Sequence, residues 1–136
     1  MDVERVLEGL NASGLVQAGG VCTTAVNTSQ QWDLPNAWAP LQLMLIEGLN
    51  ATGSAEAQAL AQTLGCRWLR TNYRAWAASG FMYEKYDCLQ VGHGGGGGEY
   101  KPQIGFGWSN GVALALLRAL GPAFTARCGE RRKKKK

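Results

Sequence analysis

Apolar side chains recur at helical spacing in four stretches of this chain, and two long polar stretches separate them. Val3, Val6, Leu7 and Leu10 stand at i, i+3, i+4 and i+7, which predicts an amphipathic helix from residue 2 to about 18, ended by Gly19-Gly20. Residues 20–35, rich in Thr, Ser, Asn and Gln, read as a loop. Asn36 suits an N-cap, so a second helix is expected from there. Leu41, Leu45 and Leu49 would mark its inner face, Pro40 falls in its first turn, and Gly48 and Gly53 close it. A third, long helix is expected over 54–79, capped by Ser54, with Ala57, Leu60, Ala61, Leu64 and Trp68 as its buried stripe. Residues 81–108 show no period. A last helix is expected over about 110–120, with Val112, Ala113, Leu116, Leu117 and Leu120 on one face and Gly121-Pro122 as its stop.

No run alternates over strand length, so the fold class read from the pattern is all-α: helix, long polar loop, helix, helix, long polar loop, helix. Loops this long inside a compact domain are uncommon unless they are functional. Chemistry is therefore expected on the loops, with the helices as scaffold.

A length of 136 residues suits one domain with one core. With 46% apolar residues and a mean hydropathy of −0.17, the composition is globular. The formal charge of +4 includes +6 from Arg131, Arg132 and Lys133 to Lys136, which leaves −2 on the rest. A slightly acidic body argues against an extended nucleic-acid surface. Residues 127–136 read as a separate, disordered basic tail, solvated rather than a nuclear-localisation or anionic-lipid patch. The domain would then span 1–126. Cysteines at 22, 66, 88 and 128 form no Cys-x-x-Cys pair, which disfavours zinc and thioredoxin-like sites. Free buried thiols are the favoured reading, with disulfides left open.

The first residues show no secretory signal, and the longest apolar run, 112–117, is far short of a membrane span. Yet Asn11, Asn27 and Asn50 each open an Asn-x-Ser/Thr sequon, three of the six asparagines. Localisation is open for this chain, and an extracellular or membrane-associated place is expected for a longer relative.

The segment Gln30-Gln31-Trp32-Asp33-Leu34-Pro35-Asn36-Ala37-Trp38-Ala39-Pro40 crowds two indoles, several amides, a carboxylate and two prolines together. Carboxylates and amides can hold sugar hydroxyls, an aromatic face can cover the C–H face of a sugar ring, and prolines fix the backbone. Gln31, Asp33 and Asn36 either bind hydroxyls or brace the loop. Further on, Glu84 lies in Tyr83-Glu84-Lys85-Tyr86-Asp87 and Glu99 follows five glycines, Gly94 to Gly98. Such a glycine run allows sharp turns and close approach to a ligand. A loop folding over a pocket could bring Glu99 near Glu84, giving the pair of carboxyl groups that glycoside hydrolysis uses. Surface ion pairs of Glu84 with Lys85, or of Lys85 with Asp87, and a flexible glycine linker are the bland alternatives. His93, the one histidine, reads as an exposed loop residue. The glycine run lacks a following Gly-Lys-Ser/Thr, which disfavours a phosphate-binding loop. Asn110 stands where a dinucleotide fingerprint needs a third glycine.

Three motifs in this order resemble the α,α-trehalase family, the inverting enzymes of glycoside hydrolase family 37. They are the tryptophan-rich segment at 30–40, Tyr-Glu-Lys-Tyr-Asp at 83–87, and Gly-Gly-Gly-Gly-Glu-Tyr at 95–100 running on to Gly105-Phe-Gly-Trp-Ser-Asn-Gly111. The resemblance covers most of residues 15–121; the first residues and those after about 122 fall outside it. It implies part of an (α/α)6 barrel, about four or five helices of the ring, and hydrolysis of trehalose to two glucoses without cofactor or metal. Glu84 would be the catalytic base that activates water. Glu99 would bind substrate, and Trp32 and Trp108 would form aromatic walls. The family's catalytic acid, an aspartate, and its signature with a glycine pair and an arginine lie upstream of the part this chain resembles. The isolated chain is therefore expected to be inactive or nearly so and only marginally folded. A sugar-binding or regulatory remnant, or a helical module docking on another chain, are the alternative classes. Oligomeric state is open.

Overall fold

The computed structural model describes residues 2–121 and Cys128. Among them are four helices and four short strands, in the order α1 (Val3–Ala12), β1 (Val16–Gln17), β2 (Gly20–Val21), β3 (Asn36–Trp38), α2 (Ala39–Ala51), α3 (Ala55–Ser79), β4 (Lys85–Asp87) and α4 (Gly107–Leu120). The expected order of helices and long loops is present. Helices carry the fold as expected; what is corrected is the absence of strand pairing, because two short antiparallel pairs, β1–β2 and β3–β4, hold the loops down.

Helix α1 starts where Asp2 accepts a hydrogen bond from the Arg5 amide at 3.2 Å. It ends earlier than expected, at Ala12, because Gly14 takes a left-handed conformation (φ 71°) that no helix continues through. The following residues turn back as a small hairpin, with Val16 opposite Val21 and Gln17 opposite Gly20. Gln42 serves as the next neighbour of that hairpin. Its buried side chain accepts from the Val21 amide (2.9 Å) and donates to the Val21 carbonyl (2.7 Å), as a paired strand would.

Asn36 does not cap α2. It opens β3, and the helix begins only after Trp38, whose backbone is extended (φ −120°, ψ 132°), with Pro40 in the first turn. Helix α3 matches its expected span. The Ser54 hydroxyl accepts from the Ala57 amide, and Gly80 closes the helix in the left-handed region. Its buried positions Ala57, Ala61, Leu64, Trp68 and Ala75 face Ile46 and Leu49 of α2, Val112, Ala113 and Leu116 of α4, and Tyr86 of β4. Small residues at 57 and 61 let the helices approach, and Trp68, buried and edge-on to Tyr86 (5.2 Å), fills the centre.

Leu117 was expected inward, but it is half-exposed. With Leu114, Tyr73 and Trp76 it lines an open apolar groove of about 340 Å³ between α3 and α4. The free-thiol reading is also corrected: Cys22 is bonded to Cys88 and Cys66 to Cys128, and all four are buried. The first bridge fastens the end of β2 beside β4, across 66 residues of sequence. No described helix is long and apolar enough to cross a membrane. The basic run 131–136 lies outside the described residues.

Candidate active site

Strands β3 and β4 form the floor. They pair with Asn36 opposite Asp87, Ala37 opposite Tyr86 and Trp38 opposite Lys85, and all six residues are buried. Through this ladder the tryptophan-rich segment and the Tyr-Glu-Lys-Tyr-Asp segment, about fifty residues apart in sequence, become neighbours.

An aromatic chain rises from that floor. Trp38 is fully buried, its indole N–H donating to the Gln31 carbonyl at 3.2 Å. Trp32 stacks on it (centroids 4.0 Å apart, planes 14° apart) and stays 45% exposed, so one face of this indole is packed and much of the ring is open. Trp108, at the start of α4, meets Trp38 edge-on at 5.6 Å and packs against Phe106 at 4.8 Å. The Trp108 indole N–H donates to the Glu84 carbonyl at 3.0 Å, and the Ser109 hydroxyl donates to the Tyr83 carbonyl. Glu84 is thereby fixed by its backbone. Its carboxylate is held as well: Oε2 accepts from the Gln103 amide at 2.9 Å, while the Glu84 amide donates to the Gln103 carbonyl at 2.9 Å. Three of the expected site residues, Trp32, Trp108 and Glu84, thus belong to one connected framework, with Trp38 as its hub.

Lys85 is neither of the surface ion pairs considered from sequence. Its ammonium is buried, donates to the Gly97 carbonyl at 3.2 Å and lies 5.3 Å from the Trp38 ring centroid. Burial holds its pKa below the ordinary lysine value, with the neighbouring Glu84 charge opposing that shift. Asp87 turns its carboxylate to the amides of Leu89 (2.8 Å) and Gln90 (3.0 Å) instead.

The glycine run is not a free linker. Gly95 donates to the Lys85 carbonyl and Gly96 to Asn36 Oδ1, while Gly98 donates to the Ser29 carbonyl at 2.9 Å. A Cβ at Gly95 would stand on Asn36 Oδ1 and 2.9 Å from Lys85 Cγ, and one at Gly98, whose φ is +75°, would stand 2.9 Å from Gln31 Cβ. Glycine is required here for close approach, not for slack. Glu99, directly after this clamped run, is exposed, and its carboxylate makes no hydrogen bond or ion pair among the described residues.

The braces are now distinguishable from the open groups. Both carboxylate oxygens of Asp33 accept from hydroxyls, of Thr24 at 3.0 Å and of Thr28, so Asp33 organises its own loop. Asn36 spans two segments, donating to the Asp33 carbonyl and accepting from Gly96. Gln31 offers its carbonyl to Trp38 and its side chain as the surface Gly98 rests on. His93 is exposed, as read from sequence. The framework roles of Trp38, Lys85 and Asn36 escaped sequence reading. The one available signal was their place inside the long motifs, which did not separate braces from open groups. Four grooves of about 340–440 Å³ lie elsewhere on the described surface, and none of these four is lined by Glu84, Glu99, Trp32 or Trp108. Among the described residues no group of three or more His, Cys, Asp or Glu side chains could hold a metal ion.

A family model described as Trehalase matches residues 1–121, which extends the resemblance to the first residues as well. A probable trehalase of Oryza sativa subsp. japonica is 56% identical over 117 residues, 86% of this chain and 21% of the rice protein. The trehalase of Homo sapiens is 49% identical over 107 residues, 79% of this chain and 18% of its own length. A periplasmic trehalase of Pseudomonas aeruginosa is 49% identical over 82% of this chain and 20% of its own length. The neutral trehalase Nth1 of Saccharomyces cerevisiae superimposes with a TM-score of 0.66 at 25% identity, over 92% of this chain and 22% of the yeast chain. The chain spans about a fifth of the length of the curated relatives it matches. On the fold, the framework around Glu84 and these matches together, the chain belongs to the trehalase family.

Proposed function

We propose that this chain is one wall of an α,α-trehalase active site, the part of an (α/α)6 barrel that carries the catalytic base. Glu84 is the base: its carboxylate, oriented by the Gln103 amide, takes a proton from the water that attacks the anomeric carbon. In inverting hydrolysis that water stands between base and acid, whose carboxyl groups are about 6.5–9.5 Å apart. Trp32 and Trp108 flank one glucose ring, and Glu99 accepts hydrogen bonds from its hydroxyls. The observation that carries the reading is the single framework joining Glu84 to the Trp32–Trp38–Trp108 cluster and to the clamped glycine run. The half-open face of Trp32 supports an aromatic platform in particular.

The acid that protonates the leaving glucose oxygen, and the opposite wall of the pocket, are assigned to the part of a trehalase that this chain does not span. General-acid assistance is worth a factor of about 10² to 10⁴. The isolated 136-residue chain should therefore release glucose from trehalose at a negligible rate while retaining weak binding. Two measurements on the purified chain test this: coupled glucose release, and a trehalose titration followed by indole fluorescence. Turnover comparable to ordinary glycosidases would refute the missing-acid reading. Fluorescence unchanged by trehalose, together with no turnover, would refute the sugar-binding wall. Binding that survives in a Glu84→Gln variant is expected, because the base acts on water rather than on the ring.

A further inference from the structure

We propose that Asn27 is an N-glycosylation site, occupied in the mature protein, and that Asn11 and Asn50 are secondary acceptors. The trehalose reading does not use the three sequons, so the two stand or fall separately. All three asparagine side chains are exposed, and none donates a hydrogen bond through Nδ2 among the described residues. They differ in backbone. Asn11 and Asn50 sit in the last turns of α1 and α2, whereas Asn27 lies in the irregular loop between β2 and β3. There Asn27 Oδ1 accepts from the Ser29 amide at 3.1 Å, an Asx turn that occupies the oxygen of the side-chain amide and leaves its nitrogen without a partner among the described residues. An exposed surface loop is where an N-linked glycan is accommodated at least cost to packing.

The second, independent observation is the cysteine chemistry. Among the described residues no cysteine is free, and the two bridges are buried among core side chains. Bridges of this kind form and persist in oxidising compartments, which in eukaryotic cells are the ones where sequons are glycosylated. Neither feature depends on the other, and they point to the same cellular route.

The donor is a lipid-pyrophosphate-linked oligosaccharide. The Asn27 Nδ2–C1 bond forms as the C1–oxygen bond to the pyrophosphate breaks. The lipid pyrophosphate leaves with the electron pair, and the Nδ2 proton goes to base. Because Ser29 also offers its carbonyl to Gly98, the glycan would stand beside the loop that braces the candidate site.

The test is peptide mapping of the protein purified from its own organism, before and after treatment with an amidase that removes N-glycans and converts the occupied Asn to Asp. Asp at position 27 after treatment, with the Cys22–Cys88 and Cys66–Cys128 peptides still linked without reductant, supports the proposal. Asn27 recovered unmodified overturns it, as does occupancy confined to Asn11 or Asn50. In a secretory eukaryotic host, Asn27→Gln and Ser29→Ala should each lose one glycan step on a gel. Retention of that step in Ser29→Ala overturns the assignment, since it would place the sugar outside the sequon.

Discussion

Gly95→Ala is the sharpest test of whether the glycine run is a clamp or a linker. The added methyl would stand on Asn36 Oδ1 and 2.9 Å from Lys85 Cγ, two residues whose side chains are almost wholly buried. Neither can swing into solvent. Asn36 is tied to the Asp33 carbonyl and the Gly96 amide, and Lys85 to the Gly97 carbonyl. Overpacking of this kind costs about 1–3 kcal/mol. Pushing Asn36 aside also breaks the Gly96 hydrogen bond and leaves a buried oxygen unpaired, for about 1–3 kcal/mol. A loss of about 2–4 kcal/mol is expected, a large share of the total stability of a small domain. Gly96→Ala is the matched control: its Cβ would meet nothing within 4 Å, and the change should stay within about 0.5 kcal/mol. The assay is guanidinium unfolding of the oxidised chain, followed by indole fluorescence. In an Asn36→Ala background the Gly95→Ala penalty should shrink by at least about 1 kcal/mol, because the obstructing oxygen is gone. Equal stability of Gly95→Ala and Gly96→Ala, or an unchanged penalty without Asn36, would refute the clamp.

Reducing Cys22–Cys88, or replacing both cysteines by alanine, frees a 66-residue separation; chain entropy sets the loss at about 4 kcal/mol, and an unchanged denaturation midpoint would sink that account. Burial pushes the Tyr86 phenol up to about 12 from 10.0, so the folded state keeps its proton longer than the unfolded chain does. That contribution is complete below pH 10.0 and is lost as pH rises through about 12; ultraviolet titration should show a late tyrosinate step that coincides with unfolding and is absent in Tyr86→Phe. Trp32→Ala removes one stacked indole worth about 0.5–1.5 kcal/mol beyond its buried area. It should abolish the fluorescence response to trehalose while leaving the chain folded, and an undiminished response would exclude Trp32 as a platform.

How much of this was legible in the sequence depends on the range over which each feature is decided. Helix α3 was readable because its causes are local: a hydroxyl at Ser54, a left-handed glycine at Gly80, and small and aromatic residues at helical spacing between them. The small sheet was not. The strands Asn36–Trp38 and Lys85–Asp87 are buried on both faces and only three residues long, too short for an alternation to register as a period, so nothing within either segment marks it as a strand. The same distance problem hid the cysteine pairing, whose partners lie 66 and 62 residues apart. The expected site residues fared unevenly for a related reason. Composition marked the tryptophan-rich segment as unusual, but it could not say that Trp38 is the buried hub while Trp32 is the open ring, or that Asp33 spends both oxygens on its own loop. A run of five glycines is consistent with a slack tether or with a backbone pressed against its neighbours. What decides between them is Asn36, Lys85, Ser29 and Gln31, none of which belongs to the run. In this chain the glycines are therefore better understood as an absence of side chains imposed by the residues around them. That is why substitution within the run should be position-specific rather than graded along its length.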